Sequence, residues 1–176
     1  ATKEHFQLDS AEFIFLFIFD FFSVFERKNP LTTVHAFKEA FSSEEPVRLV
    51  LKCINEEHDP ENLQKLNQAI KDARITLLRG YLSRAETNAL IAAADCYISL
   101  HRSEGFGYTV AEAMFCGKPV IATRWSGNMD YMTDENSYLV DYCLVELACD
   151  YGPYKQGQVW AEPDKSHAAT LMRRVF

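Results

Sequence analysis

The stretch Ser99 to Met114 reads Ser-Leu-His-Arg-Ser-Glu-Gly-Phe-Gly-Tyr-Thr-Val-Ala-Glu-Ala-Met and holds the residues best suited to chemistry. Gly105 and Gly107 allow a sharp turn and a close approach of backbone to a ligand. Amide N–H groups are then presented at a helix start, where the helix dipole also favours negative charge. Such a turn suits a diphosphate. Glu104 stands just before it, so its carboxylate can accept hydrogen bonds from sugar hydroxyls beside the phosphates. Glu112 falls about one turn into the helix, and helical side chains lean toward the N-terminus, so it can reach back to the mouth of the same site, where a ribose diol is a natural partner. Other readings of these residues stay open. Thr109 followed by Glu112 is also a capping box. Gly105-Phe106-Gly107 lacks the third glycine of a dinucleotide fingerprint, since Val110 holds its place. Gly117-Lys118-Pro119 lacks the upstream glycine and following Ser or Thr of a phosphate-binding loop, and a glycosidase pair would require a known separation across a scissile bond.

Strand-length apolar runs alternate with helical periodicity around this segment, which is the pattern of a parallel sheet covered by helices. Strands are expected at Phe13 to Phe19, Val47 to Cys53, Ile75 to Leu78, Cys96 to Leu100 and Val120 to Ala122. Pro30 suits the first turn of a helix with Leu31, Val34, Phe37, Ala40 and Phe41 on its apolar face, and Pro60 opens another with Leu63, Leu66 and Ile70. Ser83 followed by Glu86 is a capping box for a third helix through Ala94. Thr109 to Phe115 is a helix stopped at Gly117, with Pro119 beyond. Past residue 140 the pattern weakens: Val140 to Ala148 fits strand or helix, Gly152 to Gly157 a loop, and His167 to Val175 a terminal helix. Placed in this frame, the Glu104 turn follows the carboxyl end of a strand, where open α/β sheets bind their ligands.

The 176 residues suffice for one sizeable core and imply a single domain, residues 1–176. A net charge of −7, with 18 Lys and Arg forming no long run, argues against nucleic acid as a partner. The cysteines Cys53, Cys96, Cys116, Cys143 and Cys149 form no C-x-x-C pair and read as buried free thiols of a reducing cytosol. The histidines show no metal-ligand spacing, so no metal is expected. Phe13 to Phe22 is too short and too interrupted, by Asp20, for a transmembrane helix and lacks the flanks of a signal peptide.

Glu104-Gly-Phe-Gly-Tyr-Thr-Val-Ala-Glu112-Ala-Met, followed by Gly117-Lys-Pro-Val-Ile-Ala, resembles the donor-site signature of the retaining glycosyltransferases of group 1, family 4. Glu26-Arg27-Lys28-Asn29-Pro30 after the first strand is similar to that family's basic phosphate-binding loop, Gly80 to Ala94 to its linking segment, and Ser126-Gly-Asn-Met-Asp130 to its sugar-side loop. The resemblance implies an α/β, Rossmann-like parallel sheet with helices on both faces, forming the C-terminal, donor-binding half of a two-domain GT-B enzyme. It also implies a UDP-, GDP- or ADP-linked sugar as donor substrate with no further cofactor, and a glycan or lipid-linked acceptor held by an N-terminal domain. Carried over by position, Glu104 contacts the transferred sugar and Lys28 the diphosphate as the catalytic pair. Glu112 contacts the ribose, and Gly105, Phe106, Gly107 and Tyr108 supply amides to the sugar and phosphates. Where the family usually has a second phosphate-binding arginine this chain has Ser23, while Arg27 sits beside Lys28 and reads equally as a surface residue. His101 and Arg102 sit at the strand end, where both could face the donor; the default reading is of ordinary loop residues. The implied setting is the cytoplasm, at the cytoplasmic membrane face where the intact enzyme serves a lipid-linked acceptor. Two other functions fit the same residues: a nucleotide-sugar binding module without chemistry of its own, and a GT-B-type epimerase.

Overall fold

A computed structural model describes residues 3–176. The elements, in chain order, are β1 (Phe13–Asp20), α1 (Phe25–Lys28), α2 (Pro30–Ala40), β2 (Val47–Ile54), α3 (Pro60–Ala69), β3 (Ile75–Leu78), α4 (Arg84–Ala93), β4 (Cys96–Ser99), α5 (Tyr108–Phe115), β5 (Val120–Thr123), β6 (Tyr138–Val140), β7 (Tyr142–Glu146), β8 (Val159–Pro163) and α6 (Lys165–Val175). Six strands form one parallel sheet in the order β3-β2-β1-β4-β5-β6, and β7 and β8 make a separate antiparallel hairpin. Helix α2 packs against α3 and α6, while α4 packs against α5, so both faces of the sheet are covered. This is a Rossmann-like α/β sheet.

Local chemistry explains the elements. β1 is central, paired on both sides, and its run Phe-Ile-Phe-Leu-Phe-Ile-Phe is buried along most of its length, as a strand covered on both faces requires. Pro30 and Pro60 take first-turn positions where no amide donor is needed. The Ser83–Glu86 capping box closes in both directions. Phe15, Phe37, Phe41 and Phe176 pack in succession in tilted and edge-to-face pairs and join β1 to α2 and the C-terminus.

Chain order reverses between β1 and β4. Their pairing covers Phe15↔Cys96 and Leu16↔Tyr97 and goes no further toward the carboxyl ends. Tyr97 is fully buried there, and its hydroxyl accepts from the Ile18 amide at 3.3 Å and donates to the Thr109 hydroxyl at 2.7 Å, tying β1, β4 and α5 together beneath the opening. This is the crevice at a topological switch point where such sheets take their ligands.

Several expectations change past the fifth strand. Tyr138–Val140 is a sixth parallel strand, and the ambiguous stretch beyond it is strand β7, whose partner β8 carries no sequence signal of its own. Gly152–Gly157 falls within the connection between them, and the terminal helix starts at Lys165, capped by Asp164. Among the cysteines only Cys53 and Cys96 are buried, whereas Cys116, Cys143 and Cys149 are exposed, because they lie at a helix end, on the hairpin and in its loop. No helix among the described residues is long and apolar enough to cross a membrane. Tyr97→Phe should lower stability by roughly 0.5–1.5 kcal/mol, the net worth of a buried hydroxyl's hydrogen bonds, read as a lower urea midpoint; an unchanged midpoint would deny Tyr97 its bridging role.

Candidate functional site

A cleft of about 360 Å³ opens at the carboxyl ends of β1, β2 and β4. Ser23, Arg27, Lys28, Glu104, Gly107 and Tyr108 all line it, so six of the residues expected from sequence meet in one place. Lys28 Nζ donates to Glu104 Oε2 at 2.5 Å, and Arg27 donates to Glu104 Oε1 at 3.2 Å and to the Ser103 carbonyl at 2.8 Å. All three side chains are at least 86% buried. Arg27 is therefore no surface residue: its Nε donates back to Ser23 O at 2.8 Å, which turns the guanidinium inward beside Lys28.

Charge sets the character of this triad. Burial pushes the Lys28 amine below its ordinary pKa, and the neighbouring Glu104 only partly restores it. Burial likewise pushes the Glu104 carboxyl up, but Lys28 and Arg27 outweigh it and leave the pKa below the usual value. One ionised carboxylate between two cations leaves a partly buried excess of positive charge, which an anion entering the cleft would meet.

The glycine turn is built from the far side. Gly107 has φ +79° and caps α5, a conformation that L side chains rarely adopt. Tyr131 Oη donates to Phe106 O at 2.7 Å, and since a trans peptide holds its C=O and N–H on opposite sides, the Gly107 amide is sent away from Tyr131. Ala111 is the first amide of α5 returned to the turn, through Gly107 O, leaving the amides of the first helical turn without helical acceptors. Phe106 lies outside the cleft lining and packs on Tyr108 and Tyr131. Gly105 is likewise outside it, clasped by a second loop: Ser126 Oγ accepts from Glu104 N at 2.8 Å, and Gly127 N donates to Glu104 O at 3.0 Å. A Cβ on Gly127 would lie 1.4 Å from Gly105 O.

His101 is fully buried and anchors that second loop. Its Nε2 faces two acceptors, Trp125 O at 3.2 Å and Asn128 Oδ1 at 3.0 Å, while Nδ1 faces the Ser99 hydroxyl at 3.0 Å. This network assigns the proton to Nε2, and burial keeps the ring neutral by lowering its pKa. Arg102 turns away from the cleft, bidentate to Glu162 and stacked over Trp160, and so fastens the β7–β8 hairpin to the base of the site. Neither residue is the ordinary loop position expected for it.

Glu112 departs from expectation. Helix α5 begins at Tyr108, so Tyr108 and Glu112 share a face four residues apart. Glu112 opens onto an adjoining hollow of about 480 Å³, with Tyr108 common to both, and pairs with Arg84 at 2.8 Å. Arg84 is mostly exposed, so that pairing is a weak restraint. The alternative capping box does not form, because Gly107 is the N-cap and the Thr109 hydroxyl is engaged by Tyr97. Sequence reasoning also passed over Lys52, Tyr81 and Tyr131; a charged residue within the buried run Leu49-Val-Leu-Lys-Cys-Ile was the available signal for Lys52. Among the described residues no group of three or more His, Cys, Asp or Glu side chains could hold a metal ion.

A family model described as glycosyl transferases group 1 matches residues 2–147. The chain belongs to this family. A trehalose synthase of Pyrococcus horikoshii is 35% identical over 102 residues, covering 53% of this chain and 24% of that protein. Another, of Rubrobacter xylanophilus, is 30% identical over 120 residues, covering 65% and 29%. The chain thus spans about a quarter of the length of these curated relatives. Among solved structures, an Anabaena protein in complex with UDP and glucose matches with a TM-score of 0.66 at 19% identity, over 94% of this chain and 39% of that one. The C-terminal domain of a group 1 glycosyl transferase family protein from Francisella tularensis matches with a TM-score of 0.61 at 23% identity, over 78% and 71%. At these identities the structural likeness is one of fold.

The interlocked turns predict opposite fates for two neighbouring glycines. Gly127→Ala should cost at least about 1–3 kcal/mol, because the clash is with main chain that cannot step aside. Gly105→Ala, whose Cβ would meet nothing within 4 Å, should leave the melting temperature unchanged. Equal melting temperatures for the two variants would refute the interlock.

Proposed function

We propose that this domain holds a nucleoside-diphosphate sugar in the cleft at the β1–β4 crevice, as the donor half of a retaining glycosyltransferase acting on a glycan or lipid-linked acceptor. The observation that carries this reading is the triad: two inward-facing cations, Lys28 and Arg27, share a single carboxylate, Glu104, beside the first-turn amides of α5. Family membership supports the transferase reading over a binding module or an epimerase. Because the relatives are trehalose synthases and one structural neighbour was solved with UDP and glucose, UDP-glucose is the first donor to try.

In this reading the arriving diphosphate takes over Lys28 and Arg27 from Glu104, and the freed carboxylate turns to the sugar hydroxyls. As the glycosidic bond breaks, negative charge gathers on the departing phosphate oxygen. Once donor binding has moved Lys28 and Arg27 from Glu104 to the phosphates, these cations and the Gly107 and Tyr108 amides hold that position before the bond breaks, so no further reorganisation is needed at the moment of reaction. Ser23 is small enough to leave room for the phosphates next to Arg27, which serves as the second basic group from the helix side. Glu112 meets the ribose across Tyr108 after releasing Arg84. The acceptor and its catalytic groups belong to an N-terminal half, so this domain alone binds donor and turns over little.

Lys28→Ala should weaken UDP binding by roughly tenfold to a hundredfold in titration calorimetry, the worth of a charge-assisted hydrogen bond; unchanged affinity would remove Lys28 from the site. The pH dependence follows from its lowered pKa. Bound phosphate stabilises the protonated amine, so binding takes up a proton once pH exceeds the free-state pKa, and affinity falls with rising pH at values below the ordinary lysine range. In Lys28→Arg this alkaline loss should disappear; its persistence would assign the titration to another group.

A further inference from the structure

Lys52 and Tyr81 line the end of the cleft farthest along the sheet from Glu104, on β2 and in the turn after β3. Lys52 is 3% exposed, and its ammonium donates to the carbonyls of Cys53, at 2.9 Å, and Gly80. Two carbonyls leave one N–H of the three uncommitted. A buried cation held by carbonyls alone is costly where an apolar side chain would fill a central strand better, so an occupant of the cleft is the natural complement. Tyr81 shows the reverse combination. The residue is 75% exposed, yet its hydroxyl donates to Asn55 Oδ1 at 2.6 Å, and Asn55 in turn donates to Asp20 Oδ1 at 2.8 Å. An exposed ring tethered at its tip is a platform set before any ligand arrives.

The spacing suits a nucleotide. Strands β4 and β2 flank β1, so Lys52 lies two inter-strand spacings, roughly 10 Å, across the sheet from β4, whose following turn carries Glu104. Resting on the reading that the cleft holds a nucleoside diphosphate, we propose that Tyr81 stacks on the nucleobase while Lys52 donates to the carbonyl at C4 of uracil or C6 of guanine. The domain then selects uracil over cytosine, or guanine over adenine, because the rejected base presents an amino group to an ammonium and leaves both donors unpaired.

Titration calorimetry of the wild-type chain with UDP, CDP, GDP and ADP tests this directly, since UDP and CDP share the C2 carbonyl and differ only at C4, carbonyl against amino, and in the proton on N3. The expected result is a preference of about tenfold or more for the carbonyl member of whichever pair binds. Lys52→Met should bring the two members to within about threefold of each other, and Tyr81→Ala should weaken both members alike. Lys28→Ala, by contrast, should weaken all bound nucleotides by a common factor. Equal wild-type affinities within each pair would overturn the inference while leaving the diphosphate site standing. So would a Lys52→Met variant that weakens both members equally, since Lys52 would then be a phosphate contact or a strut. Should Lys52→Met fail to fold by circular dichroism, the wild-type ratio decides. Failure of all four nucleotides to bind would overturn the donor-site reading itself.

Discussion

One carboxylate shared by two inward-facing cations organises this end of the molecule. Glu104 would be poorly placed as a lone buried acid, and Lys28 and Arg27 as lone buried bases; together they offset part of one another's desolvation. The arrangement requires three segments distant in sequence to meet within hydrogen-bond reach: α1 after β1, the turn after β4, and the loop after β5 that holds Glu104's main chain. A parallel sheet that reverses its order between β1 and β4 brings those carboxyl ends together. The fold thus supplies the convergence, and the triad supplies the charge.

Rigidity around the triad comes from backbone held by backbone. Gly127 admits the Gly105 carbonyl where any side chain would collide, Ser126 holds the Glu104 amide, and the neutral His101 fixes the Ser126 loop through Trp125 and Asn128. Tyr131 holds the opposite side of the glycine turn. Ser126 and Val24 both have positive φ without being glycine, a strain that persists only where surroundings over-determine it, and both flank the cleft's charged loops. Preorganisation of this kind keeps positive groups aimed at a fixed point, which is what stabilising a leaving diphosphate would need.

Much of this was legible in the chain. The stretches at Phe13 to Phe19 and Val47 to Cys53 announced themselves as buried strands, the first by an unbroken apolar run and the second by an apolar run interrupted only by Arg48 and Lys52, and Ser83–Glu86 announced itself as a cap by its spacing. The Glu104 turn was readable because glycines, an acid and a helix start coincide within a few residues. What was illegible depended on long-range geometry. Whether Arg27 points inward rests on a hydrogen bond to Ser23 and on the place of Ser103, and nothing local to Arg27 encodes the latter. The separation of Glu112 from Glu104 follows from α5 starting at Tyr108, one residue earlier than the Thr109 signal suggested, with the Tyr108 side chain then common to two hollows. Strand β8 was invisible because a hairpin strand with one covered face and a long connection carries weak periodicity.

A larger hollow, of about 790 Å³, lies beside β6 and is lined by Lys118, Arg124, His167 and Arg174 together with Asp134 and Glu135, so size alone would place the ligand there. Amide chemical-shift mapping of the isotope-labelled chain during titration with UDP separates the two sites most directly. The account predicts that the largest shifts fall on Gly105, Gly107, Tyr108 and Lys28, saturating together. Shifts concentrated on Lys118, Tyr138 and Arg174, with the Glu104 turn unmoved, would contradict it.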